Sequence, residues 1–201
     1  MCDRCNVLLS VQQKYLASFR FLPLLFPCRQ VYWTNRGSPK SIAKANMDGS
    51  NATQIIVGLT NPFSIVVDSE TERIYWADEN ANVIETSDLE GGDRRILAGF
   101  LDNPRPVGLA IYRNLLCIGN WKANSVQSVD KYTGGNLTTL YSTDGRVRQL
   151  AITDPSANHF ISGINPCEGN GCSHLCVPTG DSYRCLCPEN MYLGRNQMSC
   201  L

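Results

Sequence analysis

Three stretches of this chain, opening at Val31, Ile74 and Leu116, can be laid over one another at steps of 43 and 42 residues. A repeat of this length limits the fold more than any other feature, because each unit is too small to bury its own apolar face and must stack on its neighbours. The first unit opens on Val31-Tyr32-Trp33-Thr34-Asn35, runs through Ser41-Ile42-Ala43-Lys44-Ala45 and Gln54-Ile55-Ile56-Val57, and closes on Pro62-Phe63-Ser64-Ile65-Val66-Val67-Asp68. The second follows with Ile74-Tyr75-Trp76-Ala77-Asp78, Val83-Ile84-Glu85-Thr86-Ser87, Arg95-Ile96-Leu97 and Val107-Gly108-Leu109-Ala110-Ile111. The third is Leu116-Cys117-Ile118-Gly119-Asn120, Ser125-Val126-Gln127-Ser128-Val129, Leu137-Thr138-Thr139-Leu140 and Val147-Arg148-Gln149-Leu150-Ala151-Ile152.

Four short apolar segments per unit, parted by Gly, Asn, Asp and Pro, read as four antiparallel strands. Such a unit at a period near 42 predicts a blade of a β-propeller, so the chain is expected to be all-β. Within a blade the aromatic and β-branched residues, Tyr32, Trp33, Tyr75 and Trp76 among them, are expected to be core covered on both faces. Asp48-Gly49, Gly91-Gly92 and Gly134-Gly135 recur in register and supply the positive φ of tight hairpins. Asn35, Asp78 and Asn120 each end the motif strand, where a side-chain acceptor can take backbone N–H groups that the strand leaves unpaired; a ligand contact is the alternative.

The ends differ from the repeats. Six of the ten cysteines, Cys167, Cys172, Cys176, Cys185, Cys187 and Cys200, crowd the last 35 residues, as in a small domain that replaces core with covalent links in an oxidising compartment. Residues 1–30 lack a recognisable signal peptide and are expected to lie outside the fold, with a helix over Val7 to Phe26. The C-x-x-C pair Cys2 and Cys5 has no second pair near it, so no metal site is expected. The 18 Lys and Arg balance 18 Asp and Glu, which gives no reason to expect nucleic acid as a partner. The apolar run from Phe21 to Pro27 is seven residues with two prolines, far from a membrane span.

Tyr32-Trp33-Thr34-Asn35 and Tyr75-Trp76-Ala77-Asp78 resemble the Tyr-Trp-Thr-Asp, or class B, repeat of the low-density lipoprotein receptor family, and Asn61-Pro62-Phe63-Ser64-Ile65-Val66-Val67-Asp68 resembles it as well. The cysteine spacing after residue 166 resembles the epidermal-growth-factor-like module that follows six such repeats in that family. The resemblance covers residues 31–201, divided as a partial propeller over 31–159 (repeats 31–73, 74–115 and 116–159), a linker over 160–166 and the module over 167–201. It implies bridges Cys167–Cys176, Cys172–Cys185 and Cys187–Cys200, whereas six cysteines by themselves leave fifteen pairings open.

With three repeats where the family has six, the chain is expected to be a fragment whose missing blades are partners, and whose open apolar faces favour association. In the third repeat Cys117 and Ile118 replace the Tyr-Trp pair, and Cys117 is expected to be a buried, unpaired thiol. Calcium is not expected, because Gly163-Ile164-Asn165-Pro166 brings no carboxylate before Cys167. No cofactor and no catalytic constellation are read from the sequence; only His159 and His174 could act as bases near neutral pH.

The function implied is a non-enzymatic, extracellular module that binds protein or lipoprotein ligands and releases them, carried by an endocytic or signalling receptor whose parent chain is anchored in the membrane. The alternative is a secreted or basement-membrane adhesion protein with the same two modules. His159, where propeller meets linker, is a candidate pH sensor or an ordinary linker histidine. Trp121 is a candidate ligand contact, with blade core as the other reading. Asn51 and Asn136 head the sequons Asn51-Ala52-Thr53 and Asn136-Leu137-Thr138 and are candidate glycosylation sites.

Overall fold

The computed structural model describes residues 8–9, 30–100, 102, 104–152, 167–179 and 182–201. Three four-stranded sheets follow one another along the chain. The first holds β1 (Leu8–Leu9), β2 (Gln30–Asn35), β3 (Ser41–Asn46) and β4 (Thr53–Val57) in that order. The second is β5 (Pro62–Asp68), β6 (Arg73–Asp78), β7 (Val83–Asp88) and β8 (Arg95–Gly99). The third is β9 (Pro106–Tyr112), β10 (Leu115–Asn120), β11 (Ser125–Asp130) and β12 (Thr138–Ser142). This is the all-β blade architecture that the repeats predict, and no described helix is long and apolar enough to cross a membrane.

Sequence repeat and sheet are out of phase by one strand. The closing segment of the first unit, Pro62 to Asp68, pairs with β6 of the second sheet, so each unit of sequence ties two sheets together. Two expectations need correction as a result. Val147 to Ile152, which the repeat pattern makes a strand, is not one: it runs beside β9, so close that a Cβ on Gly108 would lie 3.2 Å from the Gln149 Cα. Among the described residues no further four-stranded sheet follows for it to head.

At the other end, Leu8 and Leu9 pair in parallel with Tyr32 and Trp33 and occupy the innermost lane of the first sheet. Those two residues are strand and not helix, and they belong to the fold, because the free edge of β2 presents N–H and C=O groups that need partners. The rest of the expected helix, with Cys2, Cys5 and Cys28, lies outside the described residues, as do His159 and the linker over 160–166.

Strand alternation builds two separate interfaces. Ile65 and Val67 of β5, with Ile74 and Trp76 of β6, face the first sheet and meet Tyr32, Ile42 and Ile56. Val66, Tyr75 and Ala77 point the other way, onto Leu109, Leu116 and Ile118 of the third sheet. The second sheet is therefore buried on both faces, which is why β5 and β6 read as nearly continuous apolar runs. On the third sheet all of β12 is exposed, with Leu140 at 52% and Tyr141 at 66%.

Cys117 and Ile118 take the places that Tyr75 and Trp76 hold one sheet earlier, and both are buried; the Cys117 thiol is free, and burial pushes its pKa up. The swap is matched by a second one. The Trp76 indole N–H donates to Glu85, which also holds Arg94, whereas at the position of Glu85 the third sheet has neutral Gln127, accepting from the Asn120 side chain instead. A buried carboxylate needs its donors, and it is absent where the indole is absent.

The C-terminal segment is a hairpin of β13 (Leu175–Thr179) and β14 (Ser182–Leu186) held by the bridges Cys167–Cys176, Cys172–Cys185 and Cys187–Cys200. Arg184 of this hairpin reaches Asp48 in the β3–β4 turn at 3.0 Å. Hydrogen bonds from the Ser50 hydroxyl and amide, together with the Arg184 guanidinium, hold the Asp48 carboxyl below the usual aspartate range.

Candidate ligand-binding site

The residue that ends the motif strand organises one rim of the sheets. Asp78 at the end of β6 is buried and accepts from the backbone N–H of Thr60 at 2.7 Å and of Asn61 at 2.9 Å, and from the Thr60 hydroxyl. It thereby clamps the loop that leads into β5. Replacing Asp78 with Ala leaves two part-buried backbone donors without their charged acceptor, and a loss of about 1–2 kcal/mol is expected, read as a lower urea midpoint. Asp78→Asn, which keeps an acceptor, should lose about half as much. A loss equal to that of an exposed substitution such as Glu72→Ala would remove the clamp.

The clamp positions Asn61, and Asn61 in turn positions charge. Its side-chain oxygen accepts from Arg36 Nε at 3.1 Å, and its amide donates to Glu79 Oε2 at 2.6 Å. Glu79 Oε1 faces Arg105 Nη1 at 3.6 Å. The Arg36 guanidinium lies over the Phe63 ring, 4.4 Å from its centroid. Across the rim, Arg146 and Arg148 lie 5.0 and 4.9 Å from the Trp121 ring centre.

These groups surround a cavity of about 640 Å³ whose walls include Arg36, Phe63, Glu79, Arg105, Trp121 and Arg148. Leu150 also lines it, with the buried Ile65, Val107 and Leu109 behind. The arrangement suits a polypeptide that brings an apolar side chain and charge, since aromatic side chains beside placed charged groups are how proteins hold ligands. Among the described residues, no cluster of three or more His, Cys, Asp or Glu is placed to hold a metal ion.

Of the described residues singled out in the sequence, only Trp121 lies at this mouth; it is partly exposed and lines the cavity. Tyr32, Tyr75 and Trp76 are buried in the sheet interfaces and Trp33 is partly buried. Asn35 accepts from the Gly37 N–H, and the buried Asn120 gives its amide to Gln127. Asn51 and Asn136 are exposed and sit at one equivalent position of the β3–β4 and β11–β12 turns, both with positive φ. His174 pairs with the neighbouring Ser173 hydroxyl, away from the mouth.

The arginines, Phe63 and Glu79 were not singled out in the sequence, although a signal exists: Arg36, Glu79 and Trp121 each directly follow the motif position, at 35, 78 and 120.

Residues 29–69 match the family model of the low-density lipoprotein receptor repeat class B. The vitellogenin receptor of Solenopsis invicta is 30% identical over 173 residues, covering 85% of this chain and 10% of the receptor. The vitellogenin receptor Yl of Drosophila melanogaster is 31% identical over 176 residues, 85% of this chain and 9% of the receptor. The chain belongs to the low-density lipoprotein receptor family. The human low-density lipoprotein receptor-related protein 5, a further relative, is 28% identical over 166 residues, 82% of this chain and 10% of its own. This family member thus spans about a tenth of the length of these relatives. A chain in the crystal structure of the nidogen/laminin complex aligns with 60% of it and 63% of that chain, at 25% identity and a TM-score of 0.39.

Proposed function

We propose that the chain is a non-enzymatic, extracellular ligand-binding module of an endocytic or signalling receptor, and that its ligand face is the mouth walled by Phe63, Trp121 and the arginines. The observation that carries this reading is the pairing of the partly exposed Phe63 and Trp121 rings with cations that the fold leaves available around one cavity. Three disulfides in one short module support an extracellular setting, since the cytosol would reduce them. The exposed β12 is proposed to receive a further blade, and Asn51 and Asn136 to carry glycans on the outer turns.

The test is positional. A photo-crosslinking side chain placed at Arg148, at the mouth, and at Tyr141, on the outer edge, should label ligands differently when the cell-surface-displayed chain meets extracellular fluid. Labelling from position 148 at least five times that from position 141 is expected, as for a site that concentrates its contacts in one pocket. Equal labelling from both positions would remove the mouth as the ligand face.

A further inference from the structure

We infer that the partner seated at this mouth is an acidic polypeptide segment, one in which an apolar residue is flanked by aspartate or glutamate; this rests on the mouth being the ligand face. Around the cavity stand Arg36, Arg105, Arg146 and Arg148 against the single carboxylate of Glu79. That carboxylate is engaged on both oxygens, by Asn61 and by Arg105, and its side chain is only 12% exposed. Arg36, Arg146 and Arg148 have no carboxylate within ion-pair distance among the described residues. Over the whole chain 18 cations meet 18 anions, so this local excess is not a matter of composition.

The way the cations are held indicates what they receive. Arg36 lies on Phe63, and Arg146 and Arg148 lie on Trp121, so aromatic faces stabilise them without neutralising them. A guanidinium held over a ring keeps N–H groups free for the fork that matches a carboxylate. The stacking also removes rotamer freedom before the ligand arrives, which lowers the cost of forming each pair. Between these forks the partly exposed Phe63, Trp121 and Leu150 offer an apolar side chain a place to desolvate. A sulfated polysaccharide would satisfy the arginines and leave these apolar side chains unused, and they therefore favour a peptide.

The probe is a fluorescein-labelled peptide of one leucine with three aspartates on either side, titrated against the full 201-residue chain by anisotropy. It should bind, and a peptide with lysines for the aspartates should not. Arg148→Gln should weaken binding about threefold and Arg36→Gln with Arg148→Gln about tenfold, the scale of exposed charge pairs. Arg113→Gln, altering an arginine stacked on Tyr112 at the opposite end of β9, should change nothing. Unfolding midpoints equal to the parent's show that these variants fold.

Equal affinity for the lysine peptide, or unchanged affinity in the double variant, overturns the inference. So does a heparin oligosaccharide that binds with the same arginine dependence while the acidic peptide does not. A leucine-centred neutral peptide that alone binds, and loses binding in Trp121→Ala, overturns the acidic partner but leaves the mouth as the ligand face. Photo-crosslinks that avoid position 148 fail the ligand face itself.

Discussion

Lys131→Leu is expected to destabilise the chain by about 3–5 kcal/mol, the scale for removing one partner of a buried ion pair. Lys131 follows β11 and is 1% exposed, yet its Nζ lies 2.8 Å from Asp68 Oδ2 and 2.7 Å from Glu70 Oε2, across the interface between the third and second sheets. Removing the ammonium leaves the buried Asp68 carboxylate to neutral donors such as the Glu70 amide and the Thr71 hydroxyl. Glu70, 66% exposed, turns to water at little cost. At the equivalent position one sheet earlier stands Leu89, packed on the interface of the first two sheets. Leucine therefore fits the geometry, and the loss is electrostatic. Adding Asp68→Asn to Lys131→Leu should restore more than half of it, because no uncompensated charge remains. Urea unfolding followed by tryptophan fluorescence measures both; a double variant no better than the single one would mean that packing, not charge, is lost.

The same pair sets an alkaline limit. Burial alone lowers the pKa of Lys131, but hydrogen bonds and charge from Asp68 and Glu70 outweigh it and hold the ammonium above the usual lysine range. A raised pKa in the folded state stabilises fully below the unfolded value of about 10.4 and is lost as pH climbs through the folded one. Between pH 6 and 9 the pair should contribute nothing to the pH dependence. Above about pH 10 the parent should lose stability more steeply than Lys131→Leu, which keeps only the shallower loss from groups such as the buried Tyr75, whose pKa burial also raises.

How much of this is legible in the sequence depends on whether the cause is local. Turn glycines are local: Gly49, Gly91 and Gly134 have φ of +81°, +89° and +72°, as hairpins of this kind require. Strand existence is legible too, because the apolar runs are long and evenly spaced. The phase of the sheets is not, since a period says how far apart equivalent residues lie and not where hydrogen bonding changes from one sheet to the next. Thus Pro62 to Asp68 closes a unit of sequence and opens a sheet.

The mouth is hidden for a different reason. Arg36, Glu79 and Trp121 hold one structural position in three chemistries, and Arg105 and Arg148 join them only because loops before successive inner segments converge. Six cysteines likewise permit fifteen pairings, and spacing alone chooses none of them.

The glycines also provide a measurement of sheet stacking. Gly134→Ala is expected to cost about 3 kcal/mol and Gly49→Ala about 1 kcal/mol, although both place alanine at the same point of the same turn. The left-handed backbone charges each variant the smaller amount. What differs is the neighbour: a Cβ on Gly134 would come to 1.9 Å from the Leu97 carbonyl oxygen of β8, and one on Gly91 to 2.3 Å from the Ile55 carbonyl oxygen of β4, whereas at Gly49 nothing lies within 4 Å. Each turn rests on the outer strand of the preceding sheet, and the first sheet has none before it among the described residues. Gly91→Ala should accordingly resemble Gly134→Ala. Backbone cannot move aside as a side-chain tip can, so the second and third sheets must shift to admit the methyl group, and the interface of Leu97 with Val129 shifts with them. Equal losses at positions 49 and 134 would show that the turns do not bear on their neighbours. If a preceding blade is supplied to the first sheet, Gly49→Ala should rise to the cost of the other two, because the open space beside Gly49 would then hold a carbonyl oxygen.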